Sequence, residues 1–104
     1  MSSVQGSFLF DDEIQRRFER FHAENPLIYT KLVELARQVK SRGFRHYGIA
    51  SLFERLRWHF TIETKTDEPF KLNNDYRSRY ARFIMATESD LADFFDLREL
   101  RREA

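Results

Sequence analysis

Few residues in this chain are placed to do chemistry. Cys is absent, which removes a disulfide framework, a thiolate metal site and a Cys nucleophile together. The three histidines, His22, His46 and His59, lack metal-ligand spacing with one another or with acids. Glu63-Thr64-Lys65 has the spacing of the Glu-x-Lys half of a metal-dependent nuclease. That chemistry also needs an upstream acid on an adjacent strand, and the segment before it reads as helix, so a surface charge pair is the simpler reading. Three scattered Gly cannot build a phosphate-cradling loop, and nothing marks a nucleophile elbow. The expectation is a non-enzyme with no catalytic residue, no metal and no cofactor.

Charge is the more informative chemistry. Between Lys31 and Ala86 there are twelve Lys and Arg against six acids, whereas Thr87 to Ala104 holds three Arg against six acids. The first thirty residues carry three Arg and five acids. A basic centre between acidic ends suits a nucleic-acid footprint, and it equally suits solvated helix faces with paired charges.

These side chains need elements to position them. Phe10, Ile14, Phe18 and Phe21 recur at helical spacing, with Asp11 and Asp12 suited to a first turn beside the positive end of the helix dipole. Asn25 and Pro26 read as the N-cap and first residue of a second helix over 26–42. Its apolar face is Ile28, Leu32, Leu35, Ala36 and Val39, and Gly43 follows as a left-handed terminator. A third helix over 48–59 buries Ile49, Leu52, Phe53, Leu56 and Phe60 and turns Ser51, Glu54, Arg55 and Trp58 outward. Phe60 to Thr64 then alternates apolar and polar. With a polar turn over 65–68 and a return over 69–72, this predicts a two-stranded hairpin, Pro69 at its edge. Asn73 and Asn74 offer a cap for a fourth helix with Tyr76, Tyr80, Phe83 and Ile84 inward. A last helix is expected to bury Leu91, Phe94, Phe95 and Leu100.

At 104 residues, 41% hydrophobic, with eleven Phe and four Tyr, the chain holds enough apolar surface for one aromatic-rich domain spanning 1–104. Residues 1–7 are expected to form a flexible N-terminal end. No segment approaches the roughly 20 apolar residues of a membrane span, and the first residues lack the basic and apolar regions of a signal peptide.

Three helices and a hairpin, mainly α with a small β-hairpin, are the order of a winged helix-turn-helix domain. In that fold the second helix of the turn motif enters the major groove and the wing touches the backbone. On this mapping DNA would meet Arg45, His46, Ser51, Arg55, Lys65, Arg77 and Arg79, with Lys71 flanking the wing and Arg82 adding a phosphate contact. Glu54 lies on the same face, where it repels phosphate unless it accepts from a cytosine amine. Trp58 has two readings: a cover over the hairpin or fourth helix, or an exposed anchor for a partner.

The stretch Leu56-Arg57-Trp58-His59-Phe60, then Phe70 to Met85 (FKLNNDYRSRYARFIM) and Asp90 to Phe95 (DLADFF), resembles a family of small proteins encoded by bacteriophages, prophages and other mobile elements. No activity or catalytic residue comes with that resemblance. It implies a setting, the cytoplasm of a bacterial host cell, and an accessory role. In that setting a second reading stands beside DNA binding: docking to a host protein through Tyr47, Arg55, Arg57 and Trp58. A third is a homodimer joined around Phe94 and Phe95. Salt separates the first two, because phosphate contacts release counterions and weaken steeply as salt rises.

Overall fold

Pro26 opens the second helix and Gly43 ends it, and the rest of the chain packs around that element. The computed structural model describes the backbone of residues 2–63 and 72–96 and the side chains of 12–62 and 72–96. Helix α1 (Ser2–Glu24) begins well before Phe10, so Asp11 and Asp12 lie inside it rather than in its first turn. There Asp12 pairs with Arg16 at 3.5 Å and Glu13 with Arg17 at 2.5 Å, both one turn apart. Helix α2 (Pro26–Ser41) follows after a single residue. Asn25 was expected to cap α2, but its side chain faces the other way. Its backbone N–H and its Nδ2 both donate to the Phe21 carbonyl, at 2.9 and 3.0 Å, and so close α1.

At the far end of α2, Arg42 and Gly43 donate their N–H groups to the carbonyls of Val39 and Lys40. Gly43 reverses the chain at φ +101, where a side chain is disfavoured. Helix α3 (Ile49–Trp58) then buries Ile49, Leu52, Phe53 and Leu56, as its spacing predicts.

The predicted hairpin is where the sequence reading fails. His59–Glu63 continues α3 as a turn of π-helix. Phe60 lies four residues beyond Leu56 and is half-buried against the core, extending the α3 stripe. Alternation required Ile62 to be buried on the same side, yet it is 60% exposed beside an exposed Thr61. Extending a helix already formed adds a bond per residue fixed, whereas a new strand must first find a pairing partner. Residues 64–71, with the expected turn, Lys65, Lys71 and most of the second strand, lie outside the described residues. Among the described residues no strand occurs, and the one β-type pairing is an isolated parallel bridge between Tyr47 and Phe95. The winged-helix assignment is therefore replaced by a helical one.

The chain resumes with Leu72 buried and a turn of 3-10 helix at Asn74–Tyr76. Asn73, expected to cap the fourth helix, instead caps this turn, its Oδ1 accepting from the Asp75 N–H at 2.9 Å. Helix α4 (Arg77–Thr87) follows directly. Where the last helix was expected, the described residues form a 3-10 turn at Ser89–Leu91, after which Phe94 and Phe95 run into the bridge with Tyr47, while Leu100 lies outside the described residues. Both Phe rings are 2% exposed within one chain, so they pack inward rather than presenting apolar surface.

Tyr80 of α4, fully buried, sits at the centre of the aromatic part of the core. Phe18 meets it edge-on at 4.7 Å, with Phe53 at 6.1 Å and Phe21 at 6.4 Å. Edge-to-face pairs of this kind contribute about 0.5–1.5 kcal/mol beyond the area they bury. No helix among the described residues is long and apolar enough to cross a membrane.

Candidate binding surface

Helix α3 presents its outer stripe at i, i+4 and i+7: Ser51, Arg55 and Trp58, all exposed. Trp58 is 57% exposed, and Ile62, four residues on in the π-turn, is 60% exposed. More than half of the Trp58 side chain therefore faces solvent. The end of α3 thus places two large apolar side chains in water, next to Arg55. Phe44 and Leu27 are the other large exposed apolar residues among those described, at 53% and 69%. Sequence reasoning missed Ile62 because it was assigned to a strand. The helical step from Trp58 to Ile62 was the signal that would have found it.

The fold engages the expected DNA contacts to different degrees. Arg45 is exposed and makes no hydrogen bond or ion pair among the described residues, and Ser51 and Arg55 lie on α3 beyond it. His46 is engaged, its Nδ1 lying 2.9 Å from the Asp93 carbonyl. Arg77 donates from Nε to the Asn74 carbonyl at 3.2 Å. Arg79 reaches across to α1, donating to Gln15 Oε1 at 3.2 Å. Lys65 lies outside the described residues. The connection from α2 to α3, residues 42–48, is also longer than the 3–4-residue turn of a helix-turn-helix.

Two of the four residues suggested for a protein interface turn out to be structural. Arg57 is half-buried and donates to the Leu72 carbonyl at 2.8 Å, to Asn74 Oδ1 and to Glu54 Oε1. It ties α3 to the start of the α4 region. Tyr47 is drawn into the bridge with Phe95, its N–H donating to the Phe94 carbonyl at 3.0 Å.

Much of the basic centre is also consumed internally. Arg37 on α2 donates to Glu88 Oε1 at 2.8 Å and to both Asp90 oxygens at 3.0 Å. Lys40 donates to the Asp90 carbonyl. Tyr29 donates its hydroxyl to Glu88 Oε2 at 2.6 Å. Burial, followed by the Glu88 carboxylate, pushes the Tyr29 phenol up to about 12. The same hydrogen bond from Tyr29, then Arg37, holds the Glu88 carboxyl below its ordinary range, and Arg37 does the same for Asp90. A basic helix face therefore folds onto the acidic C-terminal region, which reduces the field available to a nucleic acid.

Among the described residues no group of three or more His, Asp or Glu is arranged to hold a metal ion. Comparison with protein-family models, with curated proteins and with solved structures gives no match.

Proposed function

We propose that this chain is a non-enzymatic binding protein that docks onto another protein through the outer end of α3, with Trp58 and Ile62 as apolar anchors and Arg55 at their edge. The observation that carries this reading is the pair of large apolar side chains, each more than half exposed, one helical turn apart. Isolated apolar residues on a surface need no explanation, but a Trp with an aliphatic neighbour and an Arg has the composition of a binding hot spot. Burying such side chains in a partner yields roughly 1.5–3 kcal/mol each. The resemblance to mobile-element proteins leads us to look for the partner in a bacterial host cell.

The test is capture from bacterial lysate on immobilised protein, run in parallel with duplex DNA binding by fluorescence anisotropy at low and near-physiological salt. One captured protein that persists at higher salt, is lost with Trp58→Ala and with Ile62→Ser, and is kept with Arg45→Ala supports the reading. Duplex binding that falls steeply with salt and disappears in an Arg45→Ala, Arg55→Ala double variant would overturn it in favour of DNA.

A further inference from the structure

A second feature stands apart from the α3 surface. Between α1 and α4 lies an open cleft of about 430 Å³. One wall comes from α1, where Gln15, Phe18, Glu19 and His22 stand at i, i+3, i+4 and i+7. The other comes from α4, where Arg79, Arg82 and Phe83 stand at i, i+3 and i+4. The volume is within the range of small-molecule sites, roughly 300–1,000 Å³.

The two kinds of lining are segregated. Rings make the apolar part: Phe83 lies edge-on to His22 at 5.1 Å and to Phe18 at 6.4 Å, while Phe18 and His22 are nearly parallel, at 13°. Guanidinium groups make the polar part. Gln15 uses both ends of its amide, donating from Nε2 to Glu19 at 3.1 Å and accepting at Oε1 from Arg79 at 3.2 Å. A second hydrogen bond runs from Arg79 to the Asp75 carbonyl at 3.4 Å. Arg79 is thereby held in place, and the Glu19 carboxylate, the one among the described lining residues, is engaged by Gln15. Arg82, one turn further along α4, is exposed and makes no hydrogen bond or ion pair among the described residues. Two like charges one turn apart are unfavourable on a bare helix and favourable beside an anion.

We infer that this cleft binds a small planar organic anion, an aryl carboxylate or aryl phosphate, its ring against Phe18, His22 and Phe83 and its anionic oxygens on Arg82 and Arg79. A forked guanidinium matches either oxyanion in a bidentate manner, and a flat ring gains contact with aromatic walls without losing torsional freedom.

The experiment is a ¹⁵N NMR titration of the whole chain with 2-naphthoate, with neutral 2-naphthylmethanol and with inorganic phosphate. The expected result is saturable shifts at the Gln15 side-chain amide and the α4 amides around Arg79 to Phe83. Naphthoate should bind about tenfold more tightly than the alcohol, equivalent to roughly 1.4 kcal/mol. Arg82→Gln should abolish that preference while leaving alcohol binding unchanged, and Arg45→Gln should leave both unchanged. Equal affinity of naphthoate and the alcohol overturns the proposal without recourse to any variant. So does phosphate binding as tightly as naphthoate, which would leave only a cationic patch. Shifts centred on Trp58 would move the ligand to the α3 surface and also overturn it. Because the readout is local to α1 and α4, loss of a protein partner at Trp58 leaves it untouched.

Discussion

Tyr80 and His22 are polar groups in an apolar place. The Tyr80 hydroxyl and His22 Nδ1 are both buried and lack a hydrogen-bond partner among the described residues. Burial raises the Tyr80 phenol well above its ordinary range. An unsatisfied buried hydroxyl costs about 1–3 kcal/mol, and the ring around it does all the packing. Tyr80→Phe keeps the edge-on contact with Phe18 and deletes the hydroxyl. We therefore expect it to raise stability by about 1 kcal/mol, read as a higher urea midpoint at unchanged slope. A drop of similar size would show that the hydroxyl has found a partner. Side chains of this kind are only half legible in sequence. Helical phase correctly turned Tyr80 inward and Trp58 outward. It could not show that Arg57 would reach fifteen positions along the chain to the Leu72 carbonyl, or that Arg77 and Arg79 would fold back onto the protein.

At the scale of elements, what the sequence announces well is a helix with punctuation. Pro26 and Gly43 bracket α2 because one fixes φ and the other permits a positive φ, and both effects are local. The hairpin failed because alternation over five residues is weak beside a continuing helix, and Phe60 satisfied both patterns at once. Gly43 gives a test free of packing effects. A Cβ built there meets nothing within 4 Å, so Gly43→Ala changes only backbone preference. Holding Ala at φ +101 should cost about 1–2 kcal/mol, visible as a lower melting temperature with helical content unchanged below the transition. Asn in place of Ala should recover part of that loss, because Asn tolerates the left-handed region better. An Ala variant as stable as the parent would mean that the turn relaxes to negative φ at no cost.

For the whole molecule, the uneven charge along the sequence turns out to describe how the chain closes on itself. Arg37 and Lys40 of α2 hold Glu88 and Asp90 some fifty residues later, and below them Tyr47 pairs with Phe95. The carboxyls of Glu88 and Asp90 lie below their ordinary range when folded. Their stabilising effect is therefore complete above the unfolded-state values, near 4, and is lost as pH falls through the lower folded-state values. Thermal melts taken from pH 7 downward should show little change until about pH 4, then a falling melting temperature. Arg37→Ala removes the cation that lowers Asp90 and that acts second to the Tyr29 hydrogen bond on Glu88, so it should flatten much of that acid limb and reduce stability at neutral pH. High salt should weaken the same contacts, because Arg37 and Asp90 are about half exposed and screened by solvent ions. If Arg37→Ala keeps the parent's acid limb, the closure rests on the Tyr29–Glu88 hydrogen bond and on Leu91, Phe94 and Phe95, and the Arg37 pairs merely follow it. If the limb flattens, the basic centre serves to hold the C-terminal region in place, and a nucleic acid would have to compete with the protein's own carboxylates for it.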